Sequence, residues 1–297
     1  MSSQKFTGKS RRASILVLVA ALVWGNTANA DLAPGQSRLA GTRSIQEGAR
    51  LANRGKRSEC SIGSRSQSPL SNFALKPGSE FVFAGFLATF DGMKPWSIKV
   101  RNARELAFEV RPGDRLFNPR TGYSDPRTSE RAEIGISSVR WGNGTAVTVQ
   151  YEFLVPAGFD FKSPWTVTAQ MHAGLPVPPP LEIGFRRDQG LNRLLLTLRG
   201  GNSKKFARNW RTSERKYQIS GGPITRNSWH HIRIETKMGA DGYVRAWFNR
   251  SPVVDIRGKI GYSDQTSWYW RMGLYRRATQ DTYRICFRNL EIKQANS

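Results

Sequence analysis

The segment Ala146-Val147-Thr148-Val149-Gln150-Tyr151-Glu152-Phe153-Leu154-Val155 places an apolar residue at every odd position. A β-strand points successive side chains to opposite faces. The segment therefore predicts a strand with Val147, Val149, Tyr151, Phe153 and Val155 on a buried face. Val244, Ala246 and Phe248 repeat the pattern. Around such runs stand turn signals: Arg111-Pro112-Gly113-Asp114, Trp141-Gly142-Asn143-Gly144, Gly239-Ala240-Asp241-Gly242 and Asn249-Arg250-Ser251-Pro252. No stretch shows a long helical period of apolar residues. Many short strands at this spacing predict an all-β antiparallel sandwich or jelly roll.

That pattern begins near Asn72. Residues 31–71 contain no Phe, Trp or Tyr and are rich in Gly, Ser and Arg, so they read as a flexible polar leader. Residues 1–30 read as a secretory signal. Lys5, Lys9, Arg11 and Arg12 precede the apolar run from Ile15 to Gly25, and Ala28-Asn29-Ala30 supplies a cleavage pattern before Asp31. The strand-rich domain then covers 72–297. A secreted or periplasmic protein is expected, with no membrane insertion once the signal is removed. Export would permit a disulfide between Cys60 and Cys286, the only two cysteines.

The 297 residues carry 46 Lys and Arg against 22 Asp and Glu, a formal net charge of +24. Such a surface favours polyanions. Export turns the expectation from nucleic acid toward an anionic polysaccharide, bound by a monomer. Two Cys and three His (His172, His230, His231) exclude a four-cysteine zinc site and make a His-rich metal centre unsupported.

Three further strands alternate polar and apolar residues. Arg131 and Glu133 share a face opposite Ala132, Ile134 and Ile136. Gln170 and His172 share a face with Thr166 and Thr168, opposite Val167, Ala169 and Met171. Tyr269, Arg271, Gly273 and Tyr275 oppose Trp270, Met272 and Leu274. A solvated sheet face favours Lys, Glu, Thr and Ser, so Arg, Gln, His and two Tyr on one surface point to chemistry. Arg131 and Gln170 are expected to face solvent or substrate.

At these residues the sequence resembles the jelly-roll polysaccharide lyases, a group that includes alginate lyases, glucuronan lyases and heparin lyase I. Arg131-Ala132-Glu133-Ile134 is similar to their R-S/T-E-L-R strand, Gln170-Met171-His172 to Q-I/V-H, and Tyr269 to Tyr275 to Y-F-K-A-G-x-Y. Trp229–Glu235 and Asp241–Asn249 also resemble the wider group. Gly135 stands where the alginate lyases have a second Arg, Arg271 replaces their Lys, Met272 their Ala and Arg277 their terminal Gln. The resemblance implies a concanavalin-like β-jelly-roll of two antiparallel sheets with a concave substrate groove.

It also implies β-elimination at a uronic acid, giving 4,5-unsaturated uronate ends. Removing the C5 proton, which is alpha to the carboxylate, builds an enolate-like dianion that must be neutralised. Arg131 suits that by charge and bidentate geometry, Gln170 by its amide donor. Tyr275 matches the tyrosine that the resemblance makes the proton-transfer group, and His172 is the other candidate base. In glucuronate and mannuronate H5 and O4 leave from the same side, so one Tyr can make both transfers. In guluronate they leave from opposite sides, with His172 as base and Tyr275 as acid. Substrate contacts are expected from Glu133, Arg271, Tyr269, Arg233, Arg245 and Trp247, with His231 able to line the cleft. The scheme requires no cofactor and leaves room for a structural calcium. The two rival readings are a non-catalytic carbohydrate-binding module and a glycoside hydrolase. The hydrolase lacks its E-x-D-x-x-E strand here, leaving only Glu133 and Glu182 as a carboxylate pair.

Overall fold

The computed structural model describes Cys60 and residues 75–118, 122–173, 177–188, 191–202, 214–220, 223–265 and 267–295. The signal expected at 1–30, and the leader at 31–71 apart from Cys60, lie outside these residues.

The described chain forms strands and no helix. One antiparallel layer runs, edge to edge, through β1 (Glu80–Phe83), β2 (Phe86–Asp91), β7 (Ser129–Trp141), β16 (Trp268–Arg277), β9 (Trp165–Ala173), β10 (Leu181–Asp188) and β11 (Leu191–Gly201), with β12 (Glu214–Gln218) on β11. The other runs through β3 (Ile98–Asn102), β4 (Glu105–Val110), β17 (Tyr283–Gln294), β8 (Ala146–Leu154), β13 (His230–Lys237), β14 (Gly239–Phe248) and β15 (Ser251–Tyr262). A short parallel contact, Gly200 with Gly261 and Gly201 with Tyr262, joins them. A two-strand hairpin, β5 (Phe117–Asn118) and β6 (Tyr123–Ser124), stands apart. This is a β-jelly-roll sandwich.

The core lies between the layers and is built by the alternation expected from sequence. Val147, Val149, Tyr151, Phe153 and Val155 are all buried. Trp270, Met272 and Leu274 of β16 are fully buried, and the Trp270 ring lies 6.1 Å from that of Tyr151 across the interface. With apolar faces turned inward, the polar faces of β7, β16 and β9 must turn outward together. Cys60 is disulfide-bonded to Cys286 in β17, Cα to Cα 6.4 Å, over a small buried patch with Ala107 and Leu154.

Candidate active site

β7, β16 and β9 are neighbours at the centre of the first layer, so the three polar faces merge into one. Arg131 is opposite Tyr275, Glu133 opposite Gly273 and Gly135 opposite Arg271. On the other side of β16, Arg271 is opposite Gln170 and Tyr269 opposite His172. Gly273 is required here. Its φ is +142°, and a Cβ would stand 2.3 Å from the Ala132 carbonyl oxygen.

Beside Gly273 the register between β16 and β9 shifts, so that Tyr275 pairs with Val167 and Arg276 with Thr166. Directly paired residues share a sheet face. Thr166 is therefore on the core side, fully buried like Arg276, and Val167 is beside Tyr275. The expected grouping of Thr166 with Gln170 and His172 is corrected by this irregularity, which simple alternation cannot anticipate.

Glu133, fully buried, is the hub of the site. Its carboxylate accepts from Gln170 Nε2 at 2.6 Å, Arg271 Nη2 at 3.2 Å and Arg131 Nη1 at 3.4 Å. Arg131 also donates to Asp125 through Nε at 2.9 Å and Nη2 at 2.6 Å. Asp125 is held in turn by the Leu116 amide at 3.0 Å and the Tyr123 hydroxyl at 3.1 Å. Arg271 makes a second ion pair, with Asp91. Burial lowers the pKa of Arg271, but Glu133 and Asp91 outweigh it and hold the group well above its ordinary value. Gln170 is 4% exposed and the Arg131 side chain 10%. Neither side chain stands free in solvent: the carboxylate between them holds both close to the sheet, as a buried charge demands partners.

His172 Nδ1 lies 3.2 Å from the Ala173 carbonyl oxygen, which can only accept. The ring hydrogen is therefore on Nδ1, and Nε2 keeps its lone pair. Burial, followed by the charges of Arg271 and Arg131, pushes the His172 pKa down to about 4. The imidazole is neutral at physiological pH.

The two tyrosines occupy opposite ends. The Tyr269 ring is 5.8 Å from that of His172, and Arg140 covers it at 4.8 Å. It rests over Gly135, where a Cβ would meet the ring edge at 3.5 Å. The Tyr275 ring lies under Arg131 at 4.2 Å and against Trp165 at 5.1 Å.

Six of the predicted site residues are brought together as one connected face: Arg131, Glu133, Gln170, His172, Tyr269 and Arg271, with Tyr275 at its end. Arg233, Arg245 and Trp247 are not. They lie on β13 and β14, and their inward neighbours Ile232, Ile234, Val244 and Ala246 fill the core. They therefore face outward from the second layer, as does His231. His230 is buried, as expected for a core-edge residue, stacked 5.3 Å from Phe248. Glu182, opposite Gln170, is engaged by Arg199 and Arg186.

Sequence reading missed Asp91, Asp125, Tyr123, Trp165 and Arg140. Asp91 was findable, because Thr89 and Asp91 alternate with buried Ala88 and Phe90. Asp125 follows an irregular hairpin, and no period marks it. Among the described residues no group of three or more His, Cys, Asp or Glu is placed to hold a metal ion.

Curated sequences yield no match. Among solved structures, the chain is similar to an endo-β-1,4-glucuronan lyase from the fungus Trichoderma reesei, at 15% identity over 69% of this chain and 86% of that one, TM-score 0.48. It is also similar to an alginate lyase from Pseudomonas aeruginosa, at 15% identity over 67% of this chain and 86% of that one, TM-score 0.45. A model described as polysaccharide lyase matches residues 70–290, a span that holds the whole Glu133 network and most of both layers, and the chain therefore belongs to the polysaccharide lyase family.

Proposed function

We propose that this lyase cleaves a uronate-containing polysaccharide by β-elimination on the outward face of β7, β16 and β9, leaving a 4,5-unsaturated uronate end. The carrying observation is the joining of Arg131, Gln170 and Arg271 through buried Glu133. Glu133 fixes the donors that neutralise the substrate carboxylate as charge builds at C6. Preorganised donors of this kind supply most of their effect because they need not reorient during reaction.

Proton transfer is assigned to Tyr275, with His172 as the second candidate. Val167, the partner of Tyr275, and His172 are five residues apart on β9, about 16 Å at ~3.3 Å per residue. The contact with Trp165 draws the Tyr275 ring further from His172. This spacing supports one phenol making both transfers over a His172–Tyr275 relay. It therefore supports glucuronate or mannuronate, whose H5 and O4 leave from the same side. Arg131 stands over the ring, and the Tyr275 oxygen takes the C5 proton. The same oxygen then returns a proton to the departing O4, and the C4–O4 bond electrons leave with that oxygen.

The test is incubation with glucuronan, polymannuronate, polyguluronate and a neutral glucan. A conjugated unsaturated product from glucuronan or polymannuronate is expected. Product from polyguluronate alone would defeat the single-phenol assignment, and release of saturated ends only would defeat elimination.

A further inference from the structure

We infer that the outward face of the second layer is a separate, non-catalytic binding surface for an anionic polysaccharide chain. The inference rests on the lyase reading above and adds a second place where the polymer is held. Tyr243, Arg245 and Trp247 alternate along β14. Arg233 is opposite Trp247, Glu235 opposite Arg245 and Lys237 opposite Tyr243. On the other side Tyr243 is opposite Arg257 and Arg245 opposite Asp255. Lys259 continues the outward face of β15. Five cations thus stand with two carboxylates on three adjacent strands.

Cations alone would describe a solvated face. Here two aromatic rings lie among them, each under a guanidinium: Arg233 over Trp247 at 5.1 Å and Arg245 over Tyr243 at 5.4 Å. The rings are four residues apart, about 13 Å along the strand at ~3.3 Å per residue. Aromatic rings accept the apolar C–H face of a pyranose, and the cations between them accept its carboxylates. Glu235 and Asp255 hold Arg245 from two sides, at 3.8 and 3.5 Å. Such exposed pairs are weak, so a uronate carboxylate can exchange into them. Charge complementarity with a chain of net charge +24 selects a polyanion as occupant over a neutral glycan.

The core separates this surface from the Glu133 network, and the two faces point in opposite directions. A short oligosaccharide can occupy only one of them. A long chain held at the outer face raises the local concentration of polymer near the catalytic one.

The test compares the full chain with Arg245→Glu/Trp247→Ala and, in case Trp247 supports folding, with Arg233→Glu alone. Electrophoresis through gels containing glucuronan or alginate, with Tyr275→Phe added to every protein so that the polymer is not cut, reads binding without chemistry. Wild type should be retarded, and the variants should need roughly tenfold more polymer for the same retardation. On polymer the variants should show KM raised about tenfold with kcat unchanged, and on a tetrasaccharide neither constant should move. Equal retardation of wild type and both variants, or no retardation of wild type, overturns the second surface. Retardation lost in the variants, with no unsaturated product from any polyuronate, overturns the lyase reading and leaves the surface standing.

Discussion

Asp125 grips Arg131 at two points, Nε and Nη2, and is itself pinned by the Leu116 amide and the Tyr123 hydroxyl. Arg131 is thereby held by a residue outside the three strands that carry the chemistry. Asn at position 125 would keep the shape and remove the charge. Asp125→Asn should lower kcat/KM on polyuronate by roughly 10²-fold, the order seen for a lost oxyanion donor. It should cost about 1–3 kcal/mol of stability, because a buried guanidinium loses its partner. Denaturant melts and steady-state assays on the same preparation read both effects.

Tyr275→Phe deletes the phenolic hydroxyl and keeps the ring against Trp165 and Arg131. General acid–base groups contribute roughly 10²–10⁴-fold, so turnover should fall by at least the lower figure while the melt is unchanged. Tyr269→Phe should act on KM more than kcat. The reverse result, with Tyr275→Phe active and Tyr269→Phe dead, would move the chemistry to the His172 end.

Acid should destabilise the fold through His172. Its pKa is about 4 when folded and about 6.5 when unfolded. Between those values the unfolded chain binds a proton that the folded chain refuses, so stability falls as pH drops from 6.5 to 4. His172→Gln carries no titrating ring, and its urea midpoint should fall less over that range. Parallel midpoint curves for the two proteins would contradict the assignment.

Gly273→Ala should destabilise by 3 kcal/mol or more, an order set by a strained φ together with a backbone clash. The Ala132 carbonyl cannot retreat without breaking the β7–β16 ladder. Gly258→Ala provides the control, because its φ is also positive, +126°, but no atom lies within 4 Å of an added Cβ. The difference between the two melts isolates the clash.

Alternation along single strands was enough to identify the sandwich and to separate polar from apolar faces on β7, β9 and β16. It also brought Arg131, Glu133, Gln170 and Arg271 to one surface. It could not show which layer a strand joins, because pairing is set by long-range topology. Arg233, Arg245 and Trp247 follow the same period and still face away from the site. Nor could it reveal the shift that moves Thr166 into the core, since that lies in the pairing of β9 with both its neighbours, β16 and β10. The engagement of Arg131 and Gln170 by a shared carboxylate was hidden for a related reason: polar residues at alternating positions look solvated until a buried carboxylate such as Glu133 appears between them.

The last two of the described strands, β16 and β17, each occupy the interior of a layer: β16 between β7 and β9, β17 between β4 and β8. Until residue 277 has been synthesised the first layer cannot close, and until residue 294 the second cannot; four strand edges wait for partners. Open edges invite pairing with other chains, so a polypeptide stopped near residue 265 should aggregate instead of forming a smaller sandwich. Cys60 likewise waits 226 residues for Cys286. Synthesis of β17 is thus the event that permits folding, and loss of β16 or β17 should be far less tolerated than loss of the edge strand β1.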